Sequence, residues 1–422
     1  MATITDPQGE GFKLSMLLYD TRYRSMTIQV VALMAFMLAA AWLINNTLVN
    51  LATSGKDLSF GFFGEPASYD INQRLLDYNS RDTHLRASFI GLLNTLVVAV
   101  LGCITATFLG VFIGVARLSK NWLIARLMTI YVEMFRNVPV LLWIVLVMAI
   151  MIEGLPSPRS FRGEDAASSM ILNDNFAITN RGIYTPEPLF SRSLGDIHLF
   201  GDSSLRMDVS LDFIAFLIVL GLSIFAFRRI RAYAEREQNT TGNRPTTWYY
   251  QVGVLTVPLL ILLIILGFYL GKPELKGFNF AGGTHLRNSL IALWLALSLY
   301  TAAFIAEIVR GGILAISKGQ TEAAGALGLR SNRVMSLVVL PQALRVIIPP
   351  LISNYLNITK NSSLAIAVGY MDITGTLGGI TLNQTGRELE CVLLLMLVYL
   401  AISLLISAVM NWYNNRVKLV ER

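Results

Sequence analysis

The stretch from Asn354 to Ser363, NYLNITKNSS, sets three amides, three aliphatic hydroxyls (Thr359, Ser362 and Ser363) and a lysine inside an otherwise apolar run. Asn354, Asn357 and Asn361 recur at helical i, i+3, i+7 spacing and so share one face. Amides and hydroxyls on one face can replace the hydration of a polar solute, and Lys360 can attract a carboxylate or pair with a buried acid. Glu307, in AFIAEIVRG, is the acidic counterpart; it can meet an amino group or neutralise Lys360 or Arg310. Ser362 belongs to the same cluster, and Asn94 and Tyr300 are secondary candidates. Together these eight residues form a candidate path for a polar solute, because ionisable and polar groups at membrane depth are costly. The alternative for each is that it hydrogen-bonds helices together. Glu133 and Arg136, near the end of their own apolar run, read as an interfacial pair or a partner contact.

Enzymatic chemistry finds no such constellation. His84, His198 and His285 lie far apart, and Cys103 and Cys391 both fall in apolar runs. Neither a disulfide framework nor a zinc spacing follows from them. A phosphate-binding loop needs two glycines at fixed spacing, then Lys and Ser/Thr. The nearest match, GFYLGKP from Gly267 to Pro273, is one residue short and puts Pro273 where the hydroxyl belongs. It reads as a helix C-terminus. The chain is therefore expected to hold no catalytic residue, metal or cofactor, and any drive from ATP must come from another chain.

The elements that position these residues belong to a membrane protein. The chain has 422 residues, 54% hydrophobic and 14% charged, with a mean hydropathy of +0.57; soluble chains carry about 25% charged residues. The net charge of +7 suits basic loops at a lipid surface, and no basic–aromatic runs point to nucleic acid. The N-terminal stretch before Arg24 lacks a signal-peptide pattern, so the first apolar run is expected to stay as an anchor. Eight runs are long enough to span: 27–50, 89–115, 128–152, 209–227, 249–271, 288–309, 343–369 and 389–411. Pro349 and Pro350 in the seventh predict a kink rather than a break. Eight spans place both termini on one side. The Lys/Arg bias, clearest in RRIRAYAEREQNTTGNR (228–244), makes that side the cytoplasm. On the opposite side, 153–208 reads as a small folded cap anchored by Phe161, Ile171, Phe176, Ile183, Tyr184 and Phe190, with a disordered loop as the alternative.

One cytoplasmic stretch stands out: TEAAGALGLRSNRVMSLVVLP, from Thr321 to Pro341. Thr321 is a plausible N-cap, with Glu322 in the first turn. Ala323, Ala324, Gly325 and Ala326 leave a smooth surface, Gly328 fits a left-handed C-cap, and Ser331 can cap a second short helix. Small residues let another backbone approach; that backbone could be this chain's own or a partner's.

This stretch resembles the EAA loop of ABC-importer membrane subunits: Glu322-Ala323-Ala324, three residues, Gly328, nine residues, Val338, one residue, Leu340-Pro341. Val338 stands where Ile is usual. GLLNTLVVAV (91–100), YVEMFRNVPVLLWI (131–144), residues 300–329, residues 340–365 and the last span are similar to the polar-amino-acid permease branch. The longer layout looks like the Q/B-type subunit of general L-amino-acid importers.

The resemblance implies an all-α polytopic bundle of about eight spans: a type I importer core, a short cytoplasmic coupling helix and an extracytoplasmic cap. It implies a cytoplasmic segment 1–26 and an extra first span with its outer segment over 27–88. Two core spans follow over 89–153, then an insertion over 154–208, an inserted pair of spans over 209–284, and the remaining core over 285–422. Glu322, Ala323, Ala324, Gly328, Leu329, Leu340 and Pro341 would couple to the ATPase. The implied partners are an ABC ATPase in two copies carrying ATP and Mg, a second homologous permease, a periplasmic binding protein, the amino-acid substrate and the bilayer. The implied location is the bacterial inner membrane. The alternative is an ion- or proton-coupled carrier, which could use the same intramembrane polar residues but has no reason to keep the EAA pattern.

Overall fold

A computed structural model describes residues 16–19, 21–55, 57–163, 167–201 and 203–417. The chain forms two compact units divided between Phe60 and Gly61. In the first, a single turn α1 (Met16–Tyr19) precedes the long helix α2 (Thr21–Thr53). The large apolar side chains of α2 are exposed along its length, as a lipid-facing span requires.

The second unit starts with a turn at Gly61–Gly64 and an irregular segment that leads into α3 (His84–Ala116). Thr83 caps α3, its hydroxyl accepting from the Arg86 amide. Next come α4 (Trp122–Asn137) and α5 (Val140–Gly154). The run 128–152, expected as one span, is these two helices meeting at 107°. Pro139 is the reason: it cannot donate within a helix, and it forces Val138 into extended backbone (φ −114°, ψ 134°).

The bundle centres on α8 (Asn288–Leu314), the most enclosed of the long apolar helices. It packs chiefly on α3, α5, α4 and α11 (Leu340–Asn361), and α13 (Glu388–Val417) covers α11. Gly110 and Gly114 of α3 bring its backbone against Ala302, Ile305, Ala306 and Val309, the close approach that a Gly-xxx-Gly spacing permits in membranes. Pro349 and Pro350 lie inside α11, which continues past them as expected. Between α11 and α13 the chain makes a tight turn at Ser362–Val368, a wide turn at Thr374–Thr381 and the single-turn helix α12 (Leu382–Thr385).

The inserted helices α6 (Leu211–Thr241) and α7 (Trp248–Leu266) pack on each other. Residues 228–241, expected in a loop, instead extend α6, with an Arg231–Glu235 pair at 3.0 Å and Gly242 in left-handed conformation closing the end. The fifth run also ends earlier than expected, at Leu266, where Gly267 (φ 64°) terminates the helix.

All nine strands among the described residues lie in the insertion and in the segment after α7. They are β1 (Ala177–Thr179), β2 (Gly182–Thr185), β3 (Glu187–Phe190), β4 (Asp196–Leu199), β5 (Met207–Ser210), β6 (Phe268–Gly271), β7 (Glu274–Lys276), β8 (Asn279–Ala281) and β9 (Thr284–Arg287). The order β1-β2-β9 forms one antiparallel sheet, in register at Ala177↔Tyr184 and Ile183↔Leu286. The pairs β3–β6, β4–β5 and β7–β8 complete the cap. The cap is thus folded, but not from 154–208 alone; it needs 268–287 as well. Phe280 locks the two parts, touching Phe161 and Tyr184 at ring distances of 5.4 and 5.2 Å. Strands of three or four residues are too short to leave a period in the sequence.

Candidate functional site: a smooth helix at one end and a polar seam within

At the C-terminal end of α8, opposite the strands, the chain turns into α9 (Lys318–Ala326). Its N-cap is Ser317, not Thr321. Thr321 lies within the helix, its hydroxyl donating to the Lys318 carbonyl oxygen at 2.6 Å, and Glu322 sits one turn in. The other end is as expected: Gly328 adopts φ 78°. The Leu329 amide donates to Ala324 O (3.3 Å) and the Gly328 amide to Gly325 O (2.9 Å), a Schellman closure. Arg330, not Ser331, caps the next helix, its carbonyl receiving the Arg333 and Val334 amides.

The expected second short helix is the start of a longer one. α10 (Ser331–Val334) runs through a wide turn at Met335–Val339 into α11. Pro341 has no amide hydrogen to give, and the Gln342 side chain donates to Val338 O at 3.0 Å. Leu340 is exposed and Pro341 half-buried.

The face of α9 divides cleanly. Ala324 is buried against Val334, Val339, Ile313 and Ile316. Glu322, Ala323, Gly325 and Ala326 point outward, and nothing lies within 4 Å of where a Gly325 or Gly328 side chain would be. Leu327 is 83% exposed, and Leu329 is exposed to a lesser degree. Glu322 makes no ion pair among the described residues. α9 therefore uses one alanine to rest on its own chain and presents the rest.

The expected polar path is only partly assembled. Asn354 and Asn361 are half-buried and Asn357 is exposed on α11, but Asn354 donates to its own Pro350 carbonyl at 3.0 Å. Lys360 is exposed and makes no ion pair among the described residues. It does not meet Glu307, which is held by Arg117 and by Arg310 (2.6 Å). Ser362 is fully buried and donates to Thr359 O at 2.7 Å. Tyr300 packs on Phe304 at 5.0 Å. Asn94 is a clamp: its amide donates to Gln73 O (2.7 Å) and Met371 O (2.8 Å). Glu133 bonds Asn137 at 3.4 Å while Arg136 lies over Phe304, so the two do not pair with each other.

Sequence reasoning missed Asp372. It is fully buried, and its oxygens accept from the Gly375 amide (2.8 Å) and Tyr399 hydroxyl (3.2 Å). Burial raises its carboxyl to about 6 against these hydrogen bonds. Tyr399 also contacts Thr374 at 3.0 Å, and Thr95 accepts from the Ile373 amide. This knot ties the Tyr370–Thr376 bend to α3 and α13. Lying outside every apolar run, Asp372 gave no depth signal.

Residues 232–419 match the family model described as binding-protein-dependent transport system inner membrane component. Across the full length of both proteins, the chain is 56% identical to the glutamate/glutamine/aspartate/asparagine transport system permease protein BztB of Rhodobacter capsulatus. It is 43% identical to the general L-amino acid transport system permease protein AapQ of Rhizobium johnstonii, over 99% of this chain and 98% of that one. A 116-residue stretch is 35% identical to BztC of R. capsulatus, covering 28% of this chain and 25% of BztC. None of these relatives is an ion-coupled carrier by name. The chain belongs to the membrane-spanning permease subunits of binding-protein-dependent amino-acid ABC transporters, transport components rather than enzymes.

Proposed function

We propose that the chain imports polar L-amino acids, among them acidic residues and their amides, as one half of a membrane heterodimer. The names of its relatives support the substrate class, and the two differently named permeases of R. capsulatus support a second, related subunit. Two copies of an ATPase subunit, carrying ATP and Mg, and a periplasmic binding protein complete the assembly. In the bacterial inner membrane, α9 and both termini, whose outermost residues 1–15 and 418–422 lie outside the described ones, face the cytoplasm, in keeping with the basic bias of 228–244. The cap faces outward.

The observation that carries the coupling role is the outward face of α9. Ala323, Gly325 and Ala326 permit a partner backbone to approach, Glu322 offers a charge, and Leu327 offers a knob. Gly328 turns the chain back, so that force on α9 passes through Leu329 and Leu340-Pro341 into α11. Closure of the ATPase pair would then rock α11 between inward- and outward-facing states. Asn357, Asn361 and Lys360 on α11 line the path toward the second subunit, whereas Asn94, Ser362 and Glu307 hold helices in place.

A mild-detergent pull-down from the native membrane, with identification of the accompanying chains, tests the assembly. Reconstituted with those chains, uptake should require ATP, stop with vanadate and survive collapse of the proton gradient. Uptake that persists without an ATPase chain would overturn the reading.

A further inference from the structure

A cavity of about 960 Å3 is an apolar groove along α3 and suits no polar solute. The strand end holds a different one, of about 450 Å3, within the roughly 300–1,000 Å3 typical of small-ligand sites. It lies where the β1–β2 turn, β9, the first residues of α8 and the end of the Ser362–Val368 turn meet, with α5 closing its apolar side. Its polar wall includes Asn180, Arg181, His285, Arg287 and Asn288, with Asn279 and Ser289 beside them, and no carboxylate lines it among the described residues.

Three atoms of that wall are buried without a hydrogen-bond partner in the protein: Asn180 Oδ1, Arg287 Nε and Asn288 Oδ1. Asn288 is 4% exposed, and its amide nitrogen is committed to the Asn180 carbonyl. The oxygen is the part left over. Buried amides and guanidinium groups rarely stay unpaired, because an unmet donor or acceptor away from water is costly. Arg287 makes no ion pair among the described residues, and Arg181 has only a 3.4 Å contact to Phe278 O. The positive end of the 27-residue α8 adds to these charges. His285 stacks on Tyr184 at 4.1 Å and donates to Arg181 O, and burial pushes its imidazole below the ordinary value.

We infer that this cavity is an amino-acid subsite on the permease itself, built for an amino acid with an acidic side chain. Arg181 and Arg287 receive the carboxylates, and the two unpaired amide oxygens receive the ammonium group. The inference rests on the reading of the chain as an importer of polar amino acids and adds that the permease selects among them at its outer mouth.

The test is equilibrium binding of radiolabelled L-glutamate to the assembled importer in nanodiscs, without binding protein and without ATP, with ATP-driven uptake measured separately. Saturable binding is expected, weakened at least tenfold by Arg181→Gln and by Arg287→Gln. Arg181 is exposed, so its variant keeps the fold even if the Arg287 variant does not. Glutarate, which lacks the amine, should compete at least tenfold more weakly, and L-lysine should not compete. Absence of saturable binding, indifference to Arg181→Gln, or equal competition by lysine would overturn the site. Intact, Arg181-dependent binding in a complex that shows no ATP-driven uptake would support the site while removing the transport reading.

Discussion

Small residues serve opposite ends in α3 and α9. In α3 the missing side chains are occupied. A Cβ at Gly110 would lie 2.6 Å from Ile305 Cβ, and one at Gly114 would lie 2.7 Å from Ala306 O. In α9 the missing side chain of Gly325 meets nothing within 4 Å. Glycine inside a helix costs about 1 kcal/mol relative to alanine. α3 recovers that by dispersion across the seam with α8. α9 recovers nothing from its own chain, in keeping with the docking face proposed for it. The two acids nearby repeat the lesson. Glu307 is tied between Arg117 and Arg310, while Glu322 stands free of any ion pair among the described residues.

The largest effect should come from filling the occupied vacancy. Gly114→Leu drives a side chain into the α8 backbone, where a rigid carbonyl cannot yield. It should cost more than about 3 kcal/mol, read as loss of folded protein in the membrane fraction. Gly325→Leu, by contrast, should not lower thermal stability in detergent, and should raise it by up to about 1 kcal/mol, yet cut ATP-driven uptake at least tenfold. Equal behaviour of the two variants in either assay would erase the distinction between seam and docking face.

How much of this could be read from the sequence depends on which signals act locally. The spans were legible because about 20 apolar residues need no partner to declare themselves. The break at Pro139 was not, because the apolar run continues across it and only the extended backbone at Val138 reveals the bend. Gly328 was legible, since a left-handed turn is a local demand. The start of α9 was not: Thr321 suits an N-cap, but Ser317, earlier in the chain, holds that place. The polar residues fared worst. Asn94, Ser362 and Lys360 are alike in sequence terms, each polar in or beside an apolar run. Only tertiary contacts separate the buried clamp at Asn94 from the exposed cation at Lys360.

The acids sharpen the comparison at intermediate size. Glu322→Lys reverses a free surface charge, so stability should hold within about 0.5 kcal/mol. Uptake should fall at least tenfold, and ATPase activity should no longer respond to substrate. Glu307→Gln should do the reverse in kind. It leaves the Arg117 side chain, 9% exposed, without its counter-charge, at a cost of about 2 kcal/mol. Purified complex should melt earlier while the ratio of uptake to ATP hydrolysis stays unchanged. A changed ratio in Glu307→Gln would move that acid from the scaffold into the coupling train.

The smallest effect tests whether Gly328 acts through space or through backbone. No atom lies within 4 Å of its absent side chain, so size alone should not matter, but φ is 78° and an L-residue is strained there. Gly328→Ala should therefore cost about 1 kcal/mol, and Gly328→Asn less, because asparagine tolerates the left-handed region. If the turn matters only for its shape, uptake should fall in that order: glycine, then asparagine, then alanine. Equal loss with asparagine and alanine would mean that the partner needs the space over Gly328 itself. The bare surface would then extend past the end of α9 into the turn.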